Sequence, residues 1–194
     1  MARQSAGRRL AGPCLALICA LLGAGLVPHA AEAEETTCDG TLGEQTVDNL
    51  RVPDGESCTL EGTRVQGTIK VETDATLRAK GVKVIGNVQG EGARRVNVVR
   101  NSRVGGSVQV VQGEFAKVKE SRIKGDILYD ENAAALTAVS NRVGGNIQAF
   151  QNTSGVEIAT NRVDGNLQCK ENEPPPTGGG NVVQGNKEDQ CATL

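Results

Sequence analysis

Seven glycines recur at an almost fixed interval: Gly67, Gly86, Gly106, Gly125, Gly145, Gly165 and Gly185, with gaps of 19 or 20 residues. An aliphatic residue stands two places before each, and in six of the seven copies another stands two places after. Val65-Gly67-Ile69, Val104-Gly106-Val108 and Val163-Gly165-Leu167 are examples. A unit of this size cannot hold a core alone, so the period implies stacked repeats that share one.

Within each unit the residues alternate. Val143, Gly145, Ile147 and Ala149 interleave with Arg142, Gly144, Asn146 and Gln148, the pattern of a strand with one buried face. A second short apolar strand precedes it, represented by Cys58 and Leu60, Val96 and Val98, or Val156 and Ile158. Asn141, Asn161 and Asn181 recur at 20-residue intervals, as do Asn132, Asn152 and Asn172. Asparagine accepts left-handed turn angles, and stacked asparagines pass hydrogen bonds along a column. The predicted fold is all-β: a single-stranded right-handed parallel β-helix, or solenoid, of about seven coils of 19–20 residues. The right-handed form is favoured because these coils exceed the 18 residues of a left-handed hexapeptide coil.

Residues 1–33 read as a secretory signal peptide. Arg3, Arg8 and Arg9 precede an apolar run from Leu15 to Val27, and Ala31-Glu32-Ala33 has the form of a cleavage site. A twin-arginine signal at Arg8-Arg9 is the less favoured reading, because the flanking residues match it poorly. No second apolar stretch suggests a membrane span. Residues 34–57 are assigned to an N-terminal cap, and 58–191 to the β-helix. Its end, Glu173 to Gly180, is expected to replace the second strand with a Pro/Gly cap, because proline cannot donate to a ladder.

Four cysteines remain after residue 33: Cys38, Cys58, Cys169 and Cys191. Their spacings are not those of a zinc site, and an even count in an exported chain suggests two disulfides. Cys58 and Cys169 lie five coils apart, about 24 Å at the stacking distance of strands. A disulfide spans only about 4.4–6.8 Å between Cα atoms. The bonds must then be local, Cys38–Cys58 and Cys169–Cys191, one at each end.

The tail Asn161-Arg162-Val163-Asp164-Gly165-Asn166-Leu167-Gln168-Cys169, continued by the Pro/Gly segment and by Gly185-Asn186-Lys187-Glu188-Asp189-Gln190-Cys191, resembles a family of exported bacterial proteins of unassigned function. The resemblance implies a right-handed β-helix and carries no activity to transfer. The Val-x-Gly-x-Ile phrase also resembles bactofilins, which are cytoplasmic and polymerise end to end. This chain departs from them through its leader and its disulfide-closed ends.

Composition narrows the function. Beyond residue 33 there is no histidine, which excludes a Ser-His-Asp or Cys-His centre. The aromatics there are Phe115, Tyr129 and Phe150, too few for a sugar platform or for stacking nucleic-acid bases. Nucleic acid, cofactors and metals are therefore not expected. Gly178-Gly179-Gly180 lacks the following Lys-Ser/Thr of a phosphate loop. A polysaccharide-cleaving β-helix enzyme is one alternative. Its only outward acids beside the glycines are Asp126 and Asp164, two coils apart at the outer limit for an inverting pair. A bactofilin-like assembling module is another.

Charge placement is the strongest functional signal. From Arg78 to Lys124 eleven basic residues face three glutamates, while the flanking segments are acidic. In a solenoid, sequence position is height, so this is a basic belt. Arg64, Lys83, Arg103, Arg122, Arg142 and Arg162 occupy one repeat position. Stacked unit charges repel by roughly 0.9 kcal/mol per adjacent pair in water. Solvent and nearby carboxylates offset part of this, and a linear anion would offset more. The expected function is that of a secreted, non-enzymatic structural or surface-binding protein. Its expected partner is an anionic polysaccharide or cell-envelope polymer. The candidate anion contacts are Arg78, Lys83, Arg94, Arg95, Arg100, Arg103, Arg122 and Lys124.

Overall fold

The computed structural model describes residues 34–194; the expected signal peptide lies outside the described residues. Every regular element among them is a β-strand. The strands form three parallel sheets of nine, eight and eight members, and the chain visits the sheets in turn as it winds. The parallel solenoid read from the repeat is the observed fold.

The coil has three sides, not the two that the apolar segments suggested. Leu136–Val139 lies on the second sheet, Arg142–Val143 on the third and Ile147–Phe150 on the first. The glycine phrase, read as one strand, bends at its glycine. In–out alternation survives the bend: Val143, Ile147 and Ala149 are all buried. A period of two reports which side faces the core and not whether the chain is straight.

The glycines are required by proximity. Each amide donates to the carbonyl of the glycine one coil below, from Gly86 to Gly67 through Gly185 to Gly165, at 2.9–3.0 Å. A Cβ on Gly145 would press on the Gly125 backbone and the Asp126 carboxylate.

Three polar ladders run along the corners. Asn141 Nδ2 donates to Asn161 Oδ1 at 3.0 Å, and Asn161 Nδ2 to Asn181 Oδ1 at 2.9 Å. The other predicted column repeats this from Asn132 to Asn152 and from Asn152 to Asn172, at 3.0 and 2.8 Å. The second amide hydrogen is also used: Asn161 Nδ2 donates to the Ala138 carbonyl and Asn152 Nδ2 to the Tyr129 carbonyl. These asparagines are buried, where an unpaired amide would be costly. They are not the left-handed residues. That conformation falls on the residue before each one: Ser140, Thr160 and Gly180 in one column, Glu131, Gln151 and Glu171 in the other. The third ladder follows the glycines through Asn49, Thr68, Asn87, Ser107, Asp126, Asn146 and Asn166. Each side-chain oxygen accepts the amide one coil above.

The core is a stack of aliphatic rows, with Leu50, Ile69, Val88, Val108, Ile127, Ile147 and Leu167 in one of them. Tyr129 is the exception. It is fully buried opposite Ala149 of the next coil, and its hydroxyl crosses the core to donate to the Thr137 carbonyl at 2.8 Å. Burial pushes its phenol well above the usual range.

Both ends differ in detail from expectation. The segment 34–57, assigned to a cap outside the repeat, places a strand on every sheet: Glu35–Thr37, Thr41–Leu42 and Thr46–Val47. Its polar composition hid the coil. At the other end Thr177–Gly179 keeps a short strand on the second sheet despite the prolines before it. Lys187 and Asp189 stack on Leu167 and Cys169, and Cys191 and Leu194 are buried beyond them. The disulfides join Cys38 to Cys58 and Cys169 to Cys191, with Cα separations of 5.5 and 5.2 Å. Two such bonds fit a non-reducing environment.

Two substitutions test this account by thermal or denaturant unfolding. Gly145→Ala is expected to lower stability by about 1–3 kcal/mol, because its methyl meets backbone. Asn152→Ala is expected to lower it by at least about 2 kcal/mol, because buried amide and carbonyl partners on both neighbouring coils lose their bonds.

Candidate functional site

The third sheet carries the cation column. Its strands are two residues long, with the second residue turned into the core and the first turned out. Their pairing sets Arg64 against Lys83, Lys83 against Arg103, Arg103 against Arg122, Arg122 against Arg142, and Arg142 against Arg162. The outward position two residues later forms a second column: Gln66, Ile85, Gly105, Lys124, Gly144, Asp164 and Gln184.

Neutralisation is uneven. Asp164 lies 4.0 Å from Arg142 Nη2 and 4.0 Å from Arg162 Nε, bridging two coils. It also accepts a hydrogen bond from Gln184 Nε2 at 3.1 Å. Among the described residues no carboxylate lies within 4.0 Å of Arg64, Lys83, Arg103 or Arg122. Four contiguous cations are therefore without a direct carboxylate partner; Arg64 is half-buried, and Lys83, Arg103 and Arg122 are exposed. A shallow depression beside them is lined by Ser102, Arg103, Ser121, Arg122 and Arg142, with one acid, Glu120, on its wall.

The remaining predicted contacts are spread around the coil. Arg78 points outward from the second sheet, in the column of Thr59, Asn97 and Lys117. Arg94 is exposed at the entry to that sheet. Arg95 is half-buried with its guanidinium 4.5 Å from the Phe115 ring centroid, which makes it a structural cation–π partner. Arg100 is exposed in the corner between the second and third sheets, with a left-handed backbone. Lys124 rises from the second outward column of the third sheet. The first sheet at the same height carries Gln89, Gln109 and Glu91 instead. The basic region is thus open on one side and covers two faces and the corner between them. Sequence position gave height; it could not give the face.

The two acids of the enzyme alternative do not form a pair. Asp126 belongs to the corner ladder, where its Oδ1 accepts the Asn146 amide at 2.6 Å. Asp164 belongs to the outward column beside the arginines. Two coils of about 4.8 Å and a lateral offset separate them, beyond the carboxyl separations of glycosidases. Among the described residues no group of three or more His, Cys, Asp and Glu side chains is arranged to hold a metal ion.

No family model, curated protein or solved structure matches the chain.

One further carboxyl is perturbed. Asp130 sits between Val111 and Phe150 on the first sheet. Partial burial raises its pKa, and the neighbouring Glu131 adds to the rise. The native state then holds this proton more tightly than the unfolded chain, so the associated stability is present below the ordinary carboxylate pKa of about 4 and is lost as pH rises. Asp130→Asn is expected to raise the melting temperature relative to the native chain at pH 7, with a smaller gain at pH 3.5.

Proposed function

We propose that the protein is a secreted, non-enzymatic β-solenoid that acts as a structural or surface-binding element and holds a linear anionic polymer against its third sheet. The observation that carries this is the run Arg64, Lys83, Arg103 and Arg122. It consists of four successive coils of one column without a carboxylate partner among the described residues. Stacked like charges raise the folding free energy. A polyanion running along the coil axis meets all of them with one chain and releases their counterions. The resemblance to exported bacterial β-helices and the leader-like first 33 residues support placement outside the cytoplasm, in keeping with the two disulfides.

The cleavage alternative has less support, since Asp126 is committed to a backbone bond. A double charge reversal tests the binding reading. Arg103→Glu with Arg122→Glu is expected to weaken retention on an immobilised acidic polysaccharide roughly tenfold at fixed salt. Lys70→Glu with Lys170→Glu on the first sheet, the same change of net charge, should change it little. Equal loss in both variants would point to net charge alone and count against the column.

A further inference from the structure

Asp164 shows how this surface holds a carboxylate. It occupies the second outward position of its coil and lies 4.0 Å from the arginine of its own coil and 4.0 Å from the one below. One coil lower the equivalent position is Gly144, flanked by Arg142 and Arg122. Two coils below that it is Gly105, flanked by Arg103 and Lys83. At both places the cations are present and glycine stands in place of the acid; its β position is closed by the backbone carbonyl of Ile85 or Lys124 one coil below, so the coil itself cannot supply the carboxylate. Lys124 rises between them, within the same column.

Resting on the polyanion reading above, we infer that Gly105 and Gly144 are two seats for external carboxylates, each bridging two successive members of the cation column as Asp164 does. The seats are two coils apart, about 9.6 Å. This spacing selects the ligand. Side chains on one face of an extended peptide repeat at about 6.6–6.8 Å, which matches neither one coil nor two. Phosphates on one strand of a duplex advance by only about 3.4 Å along its axis, which matches neither spacing. In an unbranched polysaccharide each linked pyranose advances by close to one coil. A carboxylate on every second sugar then falls on every second coil, and the intervening uncharged sugar crosses the coil that carries Lys124. The ligand class is an acidic polysaccharide with one carboxylate per disaccharide, lying along the solenoid axis. Asp164 ends the track one coil above the Gly144 seat, with which it shares Arg142.

The test is a gain of binding. Asp164→Asn removes the internal carboxylate beside Arg142 and leaves that arginine wholly to the external carboxylate at Gly144. Glu157→Gln removes the same charge from the second sheet, away from the column. Binding is measured at fixed salt with hyaluronan, which bears one carboxylate per disaccharide, and with poly-glutamate. Asp164→Asn is expected to bind hyaluronan roughly threefold more tightly than Glu157→Gln does, the effect of one strengthened exposed ion pair. Equal affinities of the two variants would overturn the seats while leaving the basic column as a general anion contact. Tighter binding of poly-glutamate than hyaluronan would overturn the polysaccharide assignment. Absence of binding to hyaluronan, poly-glutamate and heparin alike would remove the polyanion reading itself.

Discussion

Every coil rests on its neighbour through amide–carbonyl bonds directed along the stack, and these demand that equivalent residues lie one above another. The glycine corner is where the demand is tightest. Six glycine-to-glycine bonds of 2.9–3.0 Å run from Gly67 to Gly185, and a methyl group at these positions would strike the backbone beneath. Once that corner is fixed, the coil length is fixed. The aliphatic rows, the asparagine ladders and the cation column then follow as vertical alignments. The last of these is a by-product that costs stability, because like charges are brought to the strand spacing.

The core adapts to this regime in an economical way. A thin interior lined by Val, Ile, Leu and Ala needs few large rings. Tyr129 is tolerated where Ala149 stands next to it, and its hydroxyl finds a carbonyl on the opposite sheet. The buried asparagines follow the same rule of complete pairing. Among the described residues no buried side-chain nitrogen or oxygen lacks a partner.

The glycine period and the alternation made the solenoid, its coil length, the strand faces and both disulfides legible in the sequence. The number of sides was not, because alternation continues through the bend at Gly145 and cannot distinguish a straight strand from a folded one. The first coil was hidden by its polar residues, since backbone pairing of Glu35–Thr37 needs no apolar signature. At the candidate site the column of Arg64 to Arg162 was readable from spacing alone. Its pairing with Asp164 was not: that contact joins two positions of adjacent coils and becomes visible only when the outward directions are known. Asp126 misled for a related reason, since an acid next to a glycine looks free until the ladder above it is seen.

The placement of the two cystines has a mechanical meaning. In a linear array each inner unit is held from both sides and each terminal one from a single side, so loss of order begins by fraying at the tips. Cys38–Cys58 staples the first winding to the second, and Cys169–Cys191 fastens the closing segment to the last full winding. The covalent links therefore sit where peeling would start and are absent from the middle, where neighbours on either side already do the holding. A reducing milieu would loosen the molecule from its extremities inward, with the arginine-bearing centre the last part to come undone.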